Sequence, residues 1–150
     1  MKVYIGCDHA GFFLKEEIKK YLEQQEHEII DFGAYSNDSV DYPDHGFLVA
    51  KEVANHEESR GILVCGTGIG MSIVANKVNG IRAALCHNIE TAKLAREHNH
   101  ANVLVLGSKI VNSSLALDMV RVFLTTEALG DRHKRRIEKV NELDKKIAKQ

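Results

Sequence analysis

The chain is short of proline, cysteine, aromatic residues and net charge: one Pro, three Cys, 6% aromatics and a formal charge of −1 in 150 residues. Each shortage excludes something. With one proline and no low-complexity tract or internal repeat, there is no composition for a linker between domains. Three cysteines is an odd number, and no pair has C-x-x-C or H-x-x-x-H spacing, which speaks against a disulfide framework and against zinc. No apolar run is long enough to span a bilayer. The near-zero charge gives no electrostatic case for nucleic acid. The opening MKVYIGCDHAG has no signal-type apolar stretch, so the expectation is a cytoplasmic protein with free thiols.

What is present suits one globular domain over 1–150. Hydrophobic residues make up 44% and charged residues 27%. The charge is unevenly spread. From Arg132 to Gln150 there are eight Lys/Arg against three Asp/Glu, while the first 131 residues carry twelve against eighteen. The basic end holds no aromatic residue on which a base could stack.

Short β-rich runs alternate with helical patterns. Strands are expected at Lys2–Gly6, Glu28–Phe32, Gly61–Cys65, Ile81–Cys86 and Val103–Leu106. Helices are expected at Gly11–Gln25, from Pro43 to about His56, and at Met71–Lys77, Glu90–His98, Ser113–Leu124 and His133–Lys149. On the first, Leu14, Ile18, Tyr21 and Gln25 read as one side. On the last, Ile137, Val140, Leu143 and Ile147 form a stripe that needs a cover. Five strands alternating with helices predict an α/β fold: a three-layer α/β/α Rossmann-like single domain with a five-stranded parallel sheet and a C-terminal helix. In such sheets ligands bind beyond the carboxyl ends of the strands.

Cys65-Gly66-Thr67-Gly68-Ile69-Gly70 leaves an apolar strand and enters a helix. Closely spaced glycines let backbone N–H groups approach a ligand, and the helix N-terminus behind them favours negative charge. That suits a phosphate or a developing oxyanion. The plainer alternative is a tight turn whose glycines only pack. The loop lacks the Gly-Lys-Ser/Thr ending of a Walker A loop, and Met71 breaks G-x-G-x-x-G. Cys65 stands at its mouth, either a reactive thiol or a small buried hydrophobe. Asp8 and His9 follow the first strand, as a carboxylate and an anion contact or as a helix cap. His98 and Asn99 end the fourth helix, where a histidine serves as an acid/base or only as a dipole partner. Arg132 and Arg136, four apart, can clamp a phosphate from one helix face or simply be solvated.

These stretches resemble the ribose/galactose sugar-phosphate isomerase family, and within it the type B ribose-5-phosphate isomerases. The resemblance runs in order through GCDHAG (6–11), DYPD (41–44), ILVCGTGIGMSIVANK (62–77), GIRAALC (80–86), AREHNHANVLVLGSKIV (95–111) and GDRH (130–133) with Arg136. It implies a cofactor-free interconversion of ribose 5-phosphate and ribulose 5-phosphate through an enediolate. It implies a homodimer, or a dimer of dimers, with sites near the subunit interface. Carried over by residue, Cys65 is the carbon base, Thr67 helps exchange protons at the oxygens, and His98 opens the furanose ring with Asp8 nearby. Gly66, Gly68, Ile69 and Gly70 offer backbone N–H groups to the enediolate. His9, Arg132 and Arg136 hold the phosphate, Asn99 contacts the sugar, and Tyr42 and His133 are further neighbours. Some members pair Ser at the cysteine position with a Glu in the next helix; 71–77 here contains no Glu, which leaves Cys65 as base. At Lys109 many relatives carry Arg, so the charge is kept and the fork is lost.

The competing readings are a nucleotide-dependent oxidoreductase, an isomerase for allose 6-phosphate or galactose 6-phosphate, and a non-catalytic phosphosugar-binding module. The first is disfavoured because its glycine loop would follow the first strand, not the third.

Overall fold

A computed structural model of the chain describes residues 1–149. The elements run β1 (Lys2–Cys7), α1 (Phe12–Glu23), β2 (Glu28–Asp31), α2 (Tyr42–Asn55), β3 (Arg60–Cys65), α3 (Ile69–Asn76), β4 (Ala83–Leu85), α4 (Ile89–Asn99), β5 (Val103–Gly107), α5 (Ser113–Thr125) and α6 (Asp131–Ala148). The strands form one parallel sheet in the order β2-β1-β3-β5-β4.

Period-two alternation sends each central strand's side chains to two different layers. Val3, Ile5, Ile62, Val64, Leu104 and Leu106 pack with residues of α1, α4 and α5. Tyr4, Leu63, Cys65, Val103 and Val105 pack with residues of α2 and α3. A sheet covered on both faces explains why these strands read as nearly unbroken apolar runs. The expected three-layer α/β/α fold is therefore the one observed.

Several boundaries differ from expectation. The buried stripe of α1 is Leu14, Lys15, Ile18 and Leu22, not one through Tyr21 and Gln25. Tyr21 is only half-buried, and Gln25 is exposed beyond the end of the helix. β4 is shorter than Ile81–Cys86 because it is an edge strand paired only with β5. α3 begins two residues early, at Ile69, and α6 two residues early, at Asp131. On α6 only Ile137 of the apolar stripe is buried; Val140, Leu143 and Ile147 are exposed. Among the described residues no helix is long and apolar enough to cross a membrane.

The order of the sheet locates a site. From β1 the chain steps one way to β2, while β3 lies on the other side of β1. This reversal opens a crevice between the loops that follow β1 and β3.

Candidate active site

Three loops meet at that crevice. Ser108, after β5, donates its backbone N–H to the Cys65 carbonyl at 2.9 Å, and Lys109 donates its own to the Gly66 carbonyl at 2.9 Å. The Ser108 hydroxyl donates to the Ala10 carbonyl at 2.8 Å, which ties in the loop after β1. A Cβ placed on Gly66 would lie 3.5 Å from the Lys109 side chain and 3.7 Å from Ala10. Ser108 is a member of this junction that spacing did not single out. Its only sequence signal is its place just after a strand.

The glycine turn is demanded by sterics as well as by chemistry. Gly68 has φ +81°, and a Cβ there would fall 2.5 Å from Leu85 and 3.1 Å from the Leu106 backbone. It is the N-cap residue of α3. Thr67 is exposed, and its Oγ1 accepts the Ile69 N–H at 3.2 Å. Tyr42 opens α2 with Pro43 behind it, and its ring lies against Gly70, 2.7 Å from where a Cβ would sit. Gly66, Thr67, Gly68, Ile69, Gly70, Tyr42 and Lys109 thus share one rim.

Cys65 is the last residue of β3, and its side chain turns toward the α2–α3 layer with 5% of its surface exposed. The other two thiols are poorer candidates. Burial pushes Cys7 up to about 12, with Lys15 nearby only partly offsetting it. Burial also raises Cys86.

Asp8 and His9 border the same crevice. Asp8 is buried, and its Oδ1 accepts the Gly11 N–H at 3.0 Å in the turn before α1; the N-cap residue is Gly11, and no side chain caps this helix, so the expected Asp8 cap is not formed. His9 accepts the Val40 N–H at Nδ1, at 3.2 Å. A neutral ring that accepts at Nδ1 carries its proton on Nε2, so this histidine offers a donor.

His98, Asn99, Arg132, His133 and Arg136 lie elsewhere in the chain. α4 starts after β4 at the carboxyl edge of the sheet and runs back along it for 11 residues, about 16 Å. It closes at His100, whose N–H reaches the Arg96 carbonyl while the Ala101 N–H reaches Ala95. Asn102 then accepts the Gly61 N–H at the start of β3. His98 and Asn99 are therefore at the amino edge, opposite Cys65. The first turn of α6 joins them there. The His98 and His133 rings stack at 4.2 Å between centroids with planes 3° apart. Arg132 and Arg136 are exposed beside the buried His133. A groove of about 380 Å³ runs alongside, lined by Asn99, Ile137 and Val140 among others. Among the described residues no cluster of His, Cys, Asp and Glu could hold a metal ion.

The whole architecture has known counterparts. The ribose-5-phosphate isomerase B of Clostridium thermocellum superposes with a TM-score of 0.95 at 52% identity, covering 98% of this chain and 99% of that one. The Mycoplasma genitalium ribose-5-phosphate isomerase B, solved with bound ribulose-5-phosphate, gives 0.92 at 42% identity over 96% of each chain. In sequence, Escherichia coli ribose-5-phosphate isomerase B is 43% identical over 145 residues, 97% of each protein. The ribose/galactose isomerase family model matches residues 3–140. With that span matched and the sheet order shared, the chain belongs to the ribose/galactose isomerase family.

Proposed function

We propose that the protein is an aldose–ketose isomerase that interconverts ribose 5-phosphate and ribulose 5-phosphate. The observation that carries this reading is Cys65 at the mouth of a glycine turn, in the crevice where the sheet order reverses. Isomerisation needs a base beside the carbonyl and donors for the oxyanion, and this loop offers both. The Cys65 thiolate takes the proton from C2 of the open-chain aldose. The C1 oxygen becomes the enediolate oxygen, held by N–H groups of the 66–70 turn. Thr67 helps the hydroxyl proton pass from the C2 oxygen to the C1 oxygen. Cys65 then returns its proton to C1, which leaves the C2 carbonyl of the ketose. His98 moves the proton that opens the furanose ring, with Asp8 on the sugar. His9, Arg132 and Arg136 hold the phosphate, Lys109 adds charge at the rim, and Asn99 and Tyr42 contact the sugar. The phosphate anchors a small substrate so that its reacting carbons are placed against the base.

In this reading a working site takes its halves from two copies. Cys65 lies at the carboxyl edge of the sheet and His98 at the amino edge, where α4 arrives after running back along the sheet for about 16 Å, so one chain does not bring both to one pentose. The exposed Val140, Leu143 and Ile147 supply an apolar face for a second copy to cover. The assembly is a homodimer or a dimer of dimers. The free cysteines suit a reducing, cytoplasmic setting.

The test is turnover of ribose 5-phosphate by the purified protein in deuterium oxide, with allose 6-phosphate and galactose 6-phosphate alongside. Ribulose 5-phosphate labelled at carbon supports the enediolate route. Preference for a hexose phosphate overturns the substrate assignment, and no turnover of any of them overturns the enzyme reading.

A further inference from the structure

We infer that His133 is the positioning residue for His98: its imidazole is the flat platform that fixes the plane of the His98 ring. The inference rests on the isomerase reading above, in which His98 moves the proton of ring opening. Proton transfer to a ring oxygen demands a well-placed nitrogen, because small displacements of a reacting group are costly in rate. A histidine is commonly oriented by a hydrogen bond to its second nitrogen. Among the described residues neither the His98 nor the His133 ring has such a partner. What His98 has is a parallel ring at 4.2 Å, tilted by only 3°. Face-to-face contact sets the plane of the ring and leaves both its nitrogens open to a sugar.

His133 is built for that task. Its neighbours Arg132, Lys134, Arg135 and Arg136 are all exposed, yet its own side chain is turned inward and retains 8% of its surface. It sits in the first turn of α6, whose N-terminal end disfavours a positive charge. The groups facing it are His98 and His100 at the end of α4 and Arg132 and Arg136 on its own helix. Burial first, and then these four, push its pKa below the ordinary histidine value. A neutral platform does not repel His98 when that ring takes up a proton during turnover.

The experiment compares three variants: His133→Phe keeps a flat neutral ring, His133→Leu keeps apolar bulk without one, and His133→Asn keeps polarity without one. Two quantities are read: kcat and KM for ribose 5-phosphate, and the NMR shifts of the His98 ring protons, which move upfield under a stacked ring. The expected result is a loss of about 10-fold or more in kcat for Leu and Asn, with KM within about 3-fold. His133→Phe should recover most of that loss, and only Leu and Asn should move the His98 resonances downfield. Phe as slow as Leu overturns the inference. Recovery by Asn but not Phe also overturns it and assigns His133 a hydrogen bond to substrate. An inactive parent protein refutes the isomerase reading instead; an active parent indifferent to His133 refutes only this inference.

Discussion

Lys15 places its ammonium 3.0 and 2.8 Å from the two carboxylate oxygens of Asp31, although none of the Lys15 side chain reaches solvent. The same ammonium donates to the Ala34 carbonyl, and Lys19 adds a second ammonium to Asp31 at 2.8 Å. The ion pair therefore fastens α1 to the segment that leads toward Tyr42. Replacing Lys15 with Met leaves the half-buried carboxylate with Lys19 as its remaining ammonium partner. Because Lys19 and the Gly33 N–H still hold Asp31, the expected loss is about 1.5–3 kcal/mol of unfolding free energy, as for a charged hydrogen bond. Urea titration checks it.

Asp31 also sets an acid limit. Burial works to raise its carboxyl, but hydrogen bonds from Lys15, Lys19 and the Gly33 N–H outweigh that and hold it below the usual carboxylate range. A carboxyl depressed in the folded state adds stability above its unfolded pKa of about 4 and loses it as pH falls through the folded value. Stability of the parent protein should drop in that window below about pH 4. Asp31→Asn should be less stable at neutral pH and show a flatter acid limb in urea midpoints taken against pH.

Cys65→Ala is expected to lower kcat by about 10²–10⁴-fold, the range for losing a positioned base, while substrate affinity stays within a few-fold. Steady-state kinetics with calorimetric binding of ribose 5-phosphate separates the two quantities. Substantial residual turnover would remove Cys65 from the role of base.

Arg136→Ala is expected to act on binding instead. Losing a charged hydrogen bond to phosphate costs about 1.5–3 kcal/mol, or roughly 10- to 150-fold in KM, with a smaller effect on kcat. An unchanged KM counts against the phosphate role of Arg136.

Assembly from two copies has its own signature. Cys65→Ala and His98→Ala are each expected to be nearly inactive alone. Refolded together in equal amounts, they should regain about a quarter of parental activity. Half the dimers are then mixed, and each mixed dimer holds one intact site of two. No recovery would mean that each chain completes its own site.

The alternation of apolar runs and helical patterns made the fold class legible, because a doubly covered parallel sheet needs uninterrupted apolar strands. Ile62–Val64 and Val103–Leu106 show this directly. Short edge elements were harder to read: β4 pairs with one neighbour only, so its ends are set by β5. On α1, Lys15 stands three residues before Ile18 and seven before Leu22, on the buried face. Nothing local in the sequence marks this lysine as buried; Asp31, from another element, makes its burial tolerable.

The carboxyl-edge part of the candidate site was legible because strand ends and glycine spacing locate it. That His98 and Asn99 lie at the other edge follows from the direction of α4, once β4 and β5 are known to be parallel. Where α4 stops carried little signal, since His100 takes the left-handed position that glycine or asparagine usually fills. The Ser108–Ala10 bond joins residues remote in sequence, and no local pattern announces it.

The narrow opening over Cys65, 5% of its surface, bears on how this sulfur would age. So small an exposed area suits a slender open-chain aldehyde better than a bulky disulfide or a thick alkylating reagent. Oxidative capping by large thiols should therefore be slow even if the sulfur is a strong nucleophile. On the proposed mechanism, burial of this sulfur shields the chain from a common hazard of thiol catalysts.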